Sequence, residues 1–261
     1  MSRKILFMVV VMSLASIASA APVLVEEFSY ATGTLTTQSG AVWAAHSGAG
    51  TNAIQVATGS IAYAGLTTSG EKATFGFTSG EDVNRGTFSI TGSGAGETAY
   101  CSLVVNIATA QATGDYFFHM VDGVIGGNLF RGRIFARSSG GGYNLGIRLS
   151  SGDAIQWDAT VRTFNVPVFL VEKLTSVSGA TNDTASLFIN PALDSTEPAP
   201  DLTATASAAA DDWANLDLVA IRQGTAANTA TGAVDSIRVA TNWADATGSV
   251  VPVELSLFTI E

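Results

Sequence analysis

Apolar and polar residues alternate along most of the chain, and this pattern predicts short β-strands. In residues 100–107, Cys101 and Leu103 fall on one side while Ser102 and Val104 fall on the other, which is the period of two of a half-buried strand. Helical periodicity is weak throughout. Comparable runs predict further strands at residues 23–28, 73–77, 87–91, 115–121, 129–137, 143–149, 166–174, 184–190, 216–222, 233–240 and 250–260.

Clusters of glycine, serine, asparagine and aspartate separate these runs and supply the residues that tight turns need, as in residues 138–142. About a dozen strands without intervening helices predict an all-β fold, a two-sheet antiparallel sandwich or jelly roll formed by one domain at residues 21–250. Two stretches lack the alternation. Residues 33–50 and 190–210 are predicted to be surface loops, the second with a short helical turn near residues 208–210.

One predicted strand is rich in arginine. Strict alternation places Arg131, Arg133 and Phe135 on one face of this strand, and Phe130 and Ile134 on the other. The face with the arginines is therefore predicted to contact solvent.

The first twenty residues predict a cleavable secretory signal peptide. Arg3 and Lys4 precede an apolar run at residues 5–14, and small residues follow it up to Ala20. A membrane anchor is disfavoured because the run is shorter than the roughly 20 residues that span a bilayer. The sequence thus predicts a secreted protein, at the cell surface or in the medium, with no membrane span after residue 20.

Composition and charge exclude several classes of protein. The chain is 47% hydrophobic and only 13% charged, which is unlike a disordered chain. The formal net charge of -10 removes the electrostatic basis for binding nucleic acid. The single cysteine, Cys101, has no partner for an intramolecular disulfide and is predicted to be a buried apolar side chain.

Three stretches resemble secreted bacterial modules of the concanavalin A-like lectin/glucanase superfamily, of the LamG-like jelly-roll kind. They are residues 27–35, which begin Glu-Phe-Ser-Tyr, residues 43–52, and residues 234–239 followed by Trp243. The resemblance implies a jelly roll in which the N-terminal and C-terminal strands are neighbours. It implies little about activity, because the superfamily contains lectins, glycosidases, adhesins and inert spacers.

Residues 251–261 predict a C-terminal strand or tail. Val253, Leu255 and Leu257 alternate with other residues after Pro252, so this strand can add to an exposed sheet edge of the same molecule or of a neighbouring copy. Pairing within one molecule is the commoner arrangement. Residues 251–258 also resemble the segment that leads into a further β-domain and a sorting signal in many Bacteroidetes-type secreted proteins, which leaves the export route open.

The sequence contains no pattern of catalytic residues, and we predict that the chain is not an enzyme. A retaining glycosidase needs two carboxylates on one strand face, whereas the paired acids here are adjacent in sequence and point to opposite faces. His46 and His119 are the only histidines, and no Gly-x-Ser-x-Gly turn accompanies them. No cofactor is predicted. Calcium is left open, because carboxylate and amide oxygens occur without a diagnostic spacing at Asp82, Asn84, Asp153, Asn182 and Asp183.

The best candidate for sugar recognition is Trp43, in a predicted loop with His46 and Asn52, because exposed aromatic rings stack on sugars. Packing is the more common role for each tryptophan.

The sequence leads to two candidate functions. The first is a non-catalytic structural or adhesive component of a cell surface, extracellular matrix or filament, with other copies of itself as partners. The second is a lectin-like module that binds extracellular polysaccharide, and a glycoside hydrolase is a remote third.

Overall fold

The computed structural model describes residues 21–76, 79–193 and 196–248. The predicted signal peptide at residues 1–20 lies outside these residues. So do Val253, Leu255 and Leu257 of the predicted C-terminal strand, and both remain predictions.

β-Strands are the main regular structure of the described chain, and its helices are short. No helix among the described residues is long and apolar enough to cross a membrane. In chain order the elements are β1 (Leu24–Glu26), β2 (Gly33–Thr34), α1 (Leu35–Gln38), β3 (Trp43–Ser47), β4 (Gln55–Ala57), β5 (Lys72–Phe75), β6 (Asp82–Arg85), β7 (Ile90–Thr91), β8 (Ala95–Thr109), β9 (Asp115–Val121), β10 (Phe130–Ser139), β11 (Gly142–Arg148), β12 (Gln156–Trp157), β13 (Val168–Val177), β14 (Thr184–Ile189), β15 (Leu202–Thr205), a 3-10 helix (Ala209–Asp211), β16 (Asn215–Leu216), β17 (Leu218–Ile221), β18 (Thr231–Ala240) and α2 (Trp243–Thr247).

Sixteen of these strands form two antiparallel sheets that pack face to face, which confirms the predicted fold class, and β7 pairs with β16 in a separate two-stranded sheet. The nine-stranded sheet has the order β15-β14-β13-β8-β18-β5-β4-β2, with β1 also paired to β18. The seven-stranded sheet has the order β12-β11-β10-β9-β17-β6-β3. Among the described strands the first, β1, pairs with the last, β18, so strands from the two ends of the described chain are neighbours as the resemblance implies.

Both predicted loops contain strands that the hydrophobic pattern did not show. Residues 33–50 include β2, α1 and β3, and β3 is the edge strand beside β6. Residues 190–210 include β15, where Ala204 is buried between exposed threonines. Alanine is a weak hydrophobic signal, which explains why alternation was not recognised there. The 3-10 helix at Ala209–Asp211 confirms the predicted helical turn.

The two sheets enclose one main hydrophobic core. Leu103 and Val105 of β8 meet Phe118 and Met120 of β9 there, all of them fully buried. Cys101 lies in the same core and is the only cysteine of the chain, as predicted for a buried apolar side chain. Burial raises the pKa of its thiol well above the ordinary value, so the thiol is held neutral.

Glu172 lies within this core without a hydrogen-bond partner. It stands in β13 between Leu170 and Leu174, is fully buried, and neither of its carboxylate oxygens has a partner. Because an uncompensated charge is very costly away from water, burial raises the pKa of the Glu172 carboxyl well above its ordinary value. The folded protein therefore holds this side chain neutral.

Replacing Glu172 with glutamine is expected to remove a pH-dependent loss of stability. Above the ordinary pKa of 4.5 the unfolded chain releases this proton while the folded chain keeps it, so rising pH favours the unfolded chain. The loss reaches about 1.4 kcal/mol per pH unit. Thermal unfolding followed by circular dichroism from about pH 4 to about pH 8 should show the advantage of Glu172→Gln over the wild type growing with pH. Parallel pH profiles for the two proteins would contradict the neutral state of this carboxyl.

Candidate functional site

The outer face of the seven-stranded sheet, which points away from the core, concentrates aromatic rings and arginines. We call this surface the arginine–aromatic face. It comprises Tyr116 of β9, Phe130, Arg133, Phe135 and Arg137 of β10, Arg148 of β11, Trp157 of β12, and Arg222, which directly follows β17.

A β-bulge in β10 determines which side chains reach this face. Arg131 pairs with Met120 and Ile134 pairs with Phe118, so three residue steps of β10 match two steps of β9. Gly132 lies within the bulge with a φ of 58°, in the left-handed region that glycine adopts most easily. A Cβ at this position would overlap Oε1 of Glu172. Only glycine therefore fits both the backbone conformation and the space above the core.

The bulge corrects the assignment that strict alternation predicts for this strand. Arg131 shares the side of core residue Met120, and its guanidinium donates to the carbonyl oxygens of Ala210 and Asp212. Phe130 instead joins the outer face, with its ring 4.4 Å from His119. The predictions for Arg131 and Phe130 were wrong because one extra residue reverses the pleat on the N-terminal side of the bulge.

Guanidinium groups lie over the rings of this face. Arg133 Cζ is 4.9 Å from the ring centre of Tyr116 and 5.2 Å from that of Phe130. Arg148 Cζ is 5.0 Å from the ring centre of Phe135. The remaining pairs are Arg137 over Trp157 at 4.2 Å and Arg222 over Tyr116 at 4.1 Å. Such cation–π contacts hold planar cations in fixed positions at the surface.

Most of these arginines have no carboxylate partner. Arg222 pairs with Asp115 at 2.7 Å, whereas Arg133, Arg137 and Arg148 form no ion pair with any described residue. Burial, with neighbouring arginines adding to it, lowers the pKa of Arg133 to about 10. Burial also lowers the pKa of Arg148, although the carboxylates of Asp115 and Asp153 act in the opposite direction. Both stay charged at neutral pH, and no carboxylate of the described residues forms a direct ion pair with them.

The seven-stranded sheet curves around this face. His46 of β3 and Phe130 of β10 are separated by three intervening strands, yet their ring centres are 5.2 Å apart. In a flat sheet, with strands about 4.8 Å apart, β3 and β10 would be about 19 Å from each other. The outer face is therefore concave where these two rings meet.

Buried polar atoms without partners lie in the concave part of the face. Asn84 and His119 both stand opposite Ala220 in the register. Nδ2 of Asn84 and both ring nitrogens of His119 are buried without a hydrogen-bond partner. Burial, Arg133 and Arg222 lower the pKa of His119 well below its ordinary value, so its ring is neutral. Unsatisfied buried polar groups of this kind are costly and are often completed by a ligand or ordered water.

The carboxylates of Asp82 and Asp115 lie beside the arginine–aromatic face, and both accept hydrogen bonds within the chain. Asp82 accepts hydrogen bonds from Gln223 N at 2.8 Å and from Ser47 Oγ at 3.1 Å. Asp115 accepts from the Arg222 guanidinium and from Tyr116 N. Burial raises the pKa of Asp82. These contacts hold both side chains in structural roles.

The prediction that Trp43 is an exposed ring for sugar stacking is wrong. Trp43 is 0% exposed, stacks on Phe28 with ring centres 5.7 Å apart, and donates its indole N–H to Glu26 at 2.7 Å. The residue begins β3 and faces the core, because its large ring gains more from burial than from a loop position. His46, three residues further on, does reach the arginine–aromatic face. Asn52 lies in the exposed turn between β3 and β4, where its carbonyl accepts from Gln223.

Trp157 is the tryptophan that remains accessible. It stands in the edge strand β12 and is partly exposed, whereas Trp213 and Trp243 are buried along with Trp43. Its neighbours are Phe135, with ring centres 6.0 Å apart, and Arg137. Sequence reasoning treated Trp157 as a packing residue. The arginine-rich strand beside it is the signal that could have singled it out.

The calcium candidates take part in turns. Asp153 accepts hydrogen bonds from the backbone N–H groups of Ser150 and Ser207, and Asp183 accepts from those of Val177 and Trp213. The described residues contain no group of three or more His, Cys, Asp or Glu side chains that could hold a metal ion.

An open pocket of ≈ 580 Å³ lies against the nine-stranded sheet. Lys72 and Thr74 of β5, Asn106 of β8 and Thr231 of β18 are among its lining residues. Lys72 is the one charged residue in the lining, and it already donates to the carbonyl oxygens of Thr58 and Gly59. This pocket therefore offers fewer free charged groups for binding a ligand than the arginine–aromatic face.

No protein-family model and no curated protein matches the chain. Among solved structures, it is similar to a GH54 α-L-arabinofuranosidase with 12% identity and a TM-score of 0.44, covering 76% of this chain and 43% of that chain. It is also similar to an endo-β-1,4-glucuronan lyase from Trichoderma reesei (11% identity, TM-score 0.42, 78% and 96% covered). A third is the carbohydrate recognition domain of Emp46p (9% identity, TM-score 0.43, 83% and 95% covered). At these identities the likeness concerns the fold alone, and the chain spans less than half of the arabinofuranosidase.

Gly132→Ala is expected to lower the free energy of unfolding by about 3 kcal/mol or more, because the added methyl group meets Glu172 and the backbone is left-handed. Gly141→Ala is the matched control, since Gly141 has a φ of 83° and open space where a Cβ would stand. The control should cost only about 1 kcal/mol. Urea unfolding measures both values, and equal losses would contradict the contact between the bulge and the core.

Proposed function

We propose that this chain is a non-catalytic carbohydrate-binding protein of the concanavalin A-like lectin/glucanase superfamily, and that the arginine–aromatic face binds polysaccharide. The observation that carries the proposal is the row of rings on the concave outer surface of the sheet, with polar groups between them; Tyr116 and Phe135 are the buried rings of this row. Trp157 and Phe130 are the partly exposed rings of this row. Aromatic rings offer a flat apolar surface to the C–H face of a sugar, and adjacent polar groups fix its orientation.

Binding without hydrolysis is proposed because the carboxylates of the face serve structure. A glycosidase needs one carboxyl group as acid and another as nucleophile or base on either side of the scissile bond. Asp115 is paired with Arg222, and both oxygens of Asp82 accept hydrogen bonds within the chain. Both carboxylates are thus engaged by partners within the chain.

The proposed binding also accounts for an adhesive role. A sandwich that holds polysaccharide through one face would attach its bearer to a surface or matrix, and a secretory signal at residues 1–20 would bring it there. Self-association through Val253, Leu255 and Leu257 stays a separate prediction, because these residues lie outside the described part of the chain.

Trp157→Ala is expected to weaken polysaccharide binding about fivefold or more, as the loss of roughly 1 kcal/mol of stacking implies. The measurement is affinity electrophoresis of the purified protein in gels that contain individual neutral and acidic polysaccharides. Tyr63→Ala is the matched control, because Tyr63 is a partly exposed ring that packs against Phe169 of the other sheet, with ring centres 5.6 Å apart.

The control variant should migrate like the wild type in every gel. Loss of binding in Tyr63→Ala with retention in Trp157→Ala would move the site to the other sheet. Absence of retardation of the wild type by every polysaccharide would contradict the proposed function.

A further inference from the structure

We infer that the polysaccharide bound by this face is anionic, and that its carboxylate or sulfate groups pair with Arg133, Arg137 and Arg148. This inference rests on the proposed function and names the chemical class of its ligand. The observation that carries it is the positive charge of these three guanidinium groups. The rings by themselves do not distinguish an acidic polysaccharide from a neutral one.

These three guanidinium groups differ from every other cationic side chain in the described residues. Each of the others is neutralised by a carboxylate or donates to backbone carbonyl oxygens, as Arg222 does to Asp115, Arg238 to Glu27 and Lys72 to Thr58. In contrast, the guanidinium groups of Arg133, Arg137 and Arg148 have rings as neighbours and form neither an ion pair nor a side-chain hydrogen bond with another described residue. A chain with a net charge of -10 has ample carboxylates to pair with them. The unpaired charge is therefore confined to one face.

The burial of Arg133 makes this arrangement costly without a ligand. Arg133 is only 7% exposed, and its Nε has no hydrogen-bond partner. Its neighbours Arg148 and Arg222 are also cations, and the repulsion between like charges adds to the cost of desolvation. An anion at this point would satisfy the donors and relieve the repulsion, which is the usual compensation for a buried charge.

Guanidinium geometry favours oxyanions that a sugar can carry. A planar fork of N–H donors matches the two oxygens of a carboxylate or two oxygens of a sulfate ester. The fork of Arg137 lies over the ring of Trp157, so one ligand can stack on the exposed ring and place its acidic group beside the cation. The negative charge of the remaining surface is screened beyond about 8 Å at physiological ionic strength, so the local cluster decides the interaction.

The experiment compares matched pairs of polysaccharides that differ in charge. The probes are polygalacturonate against its methyl-esterified form, and dextran sulfate against dextran, measured by affinity electrophoresis and by calorimetry. The variant Arg137→Gln/Arg148→Gln removes two partly exposed cations of the face, and Arg238→Gln removes one on the other sheet as the control. Intact near-ultraviolet circular dichroism verifies that each variant is folded.

We expect the wild type to bind an acidic member of at least one pair about tenfold more tightly than its neutral partner, as one charged hydrogen-bonded contact would provide. Binding should weaken with added NaCl. The double variant should lose this preference and Arg238→Gln should keep it. Preference for polygalacturonate assigns a carboxylate ligand, and preference for dextran sulfate assigns a sulfate ester.

Equal binding of acidic and neutral members, unchanged in the double variant, would overturn the inference and leave the proposed function standing. A preference for the acidic members that persists in the double variant would also overturn it, because residues outside this face would then bind the acidic groups. If the wild type binds duplex DNA as tightly as the preferred polysaccharide, the face is a general anion site and the inference fails. Binding of no polysaccharide at all would overturn the proposed function itself.

Discussion

The stacking of guanidinium groups on aromatic rings, without carboxylates to neutralise them, is the constraint on which the rest of this structure depends. In an acidic chain, cations are normally paired wherever they meet acids, and Arg85, Arg162 and Arg238 are paired in this way. Arg133 and Arg148 instead keep their charge at a concave surface, held by the rings of Tyr116 and Phe135. The arrangement favours a ligand that supplies both a flat apolar face and negative charge.

A single glycine links this surface to the core. The bulge at Gly132 turns Phe130 outward and Arg131 away from the arginine–aromatic face. The neutral carboxyl of Glu172 occupies the space where a Cβ at position 132 would stand. A larger residue at position 132 would press on Glu172, and strict strand alternation would return Phe130 to the interior. The composition of the outer face and the buried carboxyl are therefore two consequences of the same local backbone geometry.

Period-two alternation was sufficient to predict the fold class and most of the long strands, because burial on one face leaves a direct mark in the sequence. It failed where that mark is weak or interrupted. The small side chains of β15 hide its buried positions, and the bulge in β10 inverted the faces assigned to Phe130 and Arg131. The site was located only in part, since His46 reaches it but Trp43 is in the core. Curvature that brings β3 and β10 together depends on the whole sheet and cannot be inferred from spacing along the chain.

The central claim is that unpaired arginines of the seven-stranded sheet meet the acidic groups of the ligand, and nuclear magnetic resonance of the arginine side chains tests it most directly. Titration of the labelled protein with an acidic oligosaccharide, such as a short oligogalacturonate or its sulfated counterpart, would follow the Nε–Hε signal of each arginine. The account predicts saturable shifts for Arg133, Arg137 and Arg148, with the signals of Arg85 and Arg238 unchanged. Saturable binding that shifts Arg238 and leaves the three arginines of the face unmoved would contradict it.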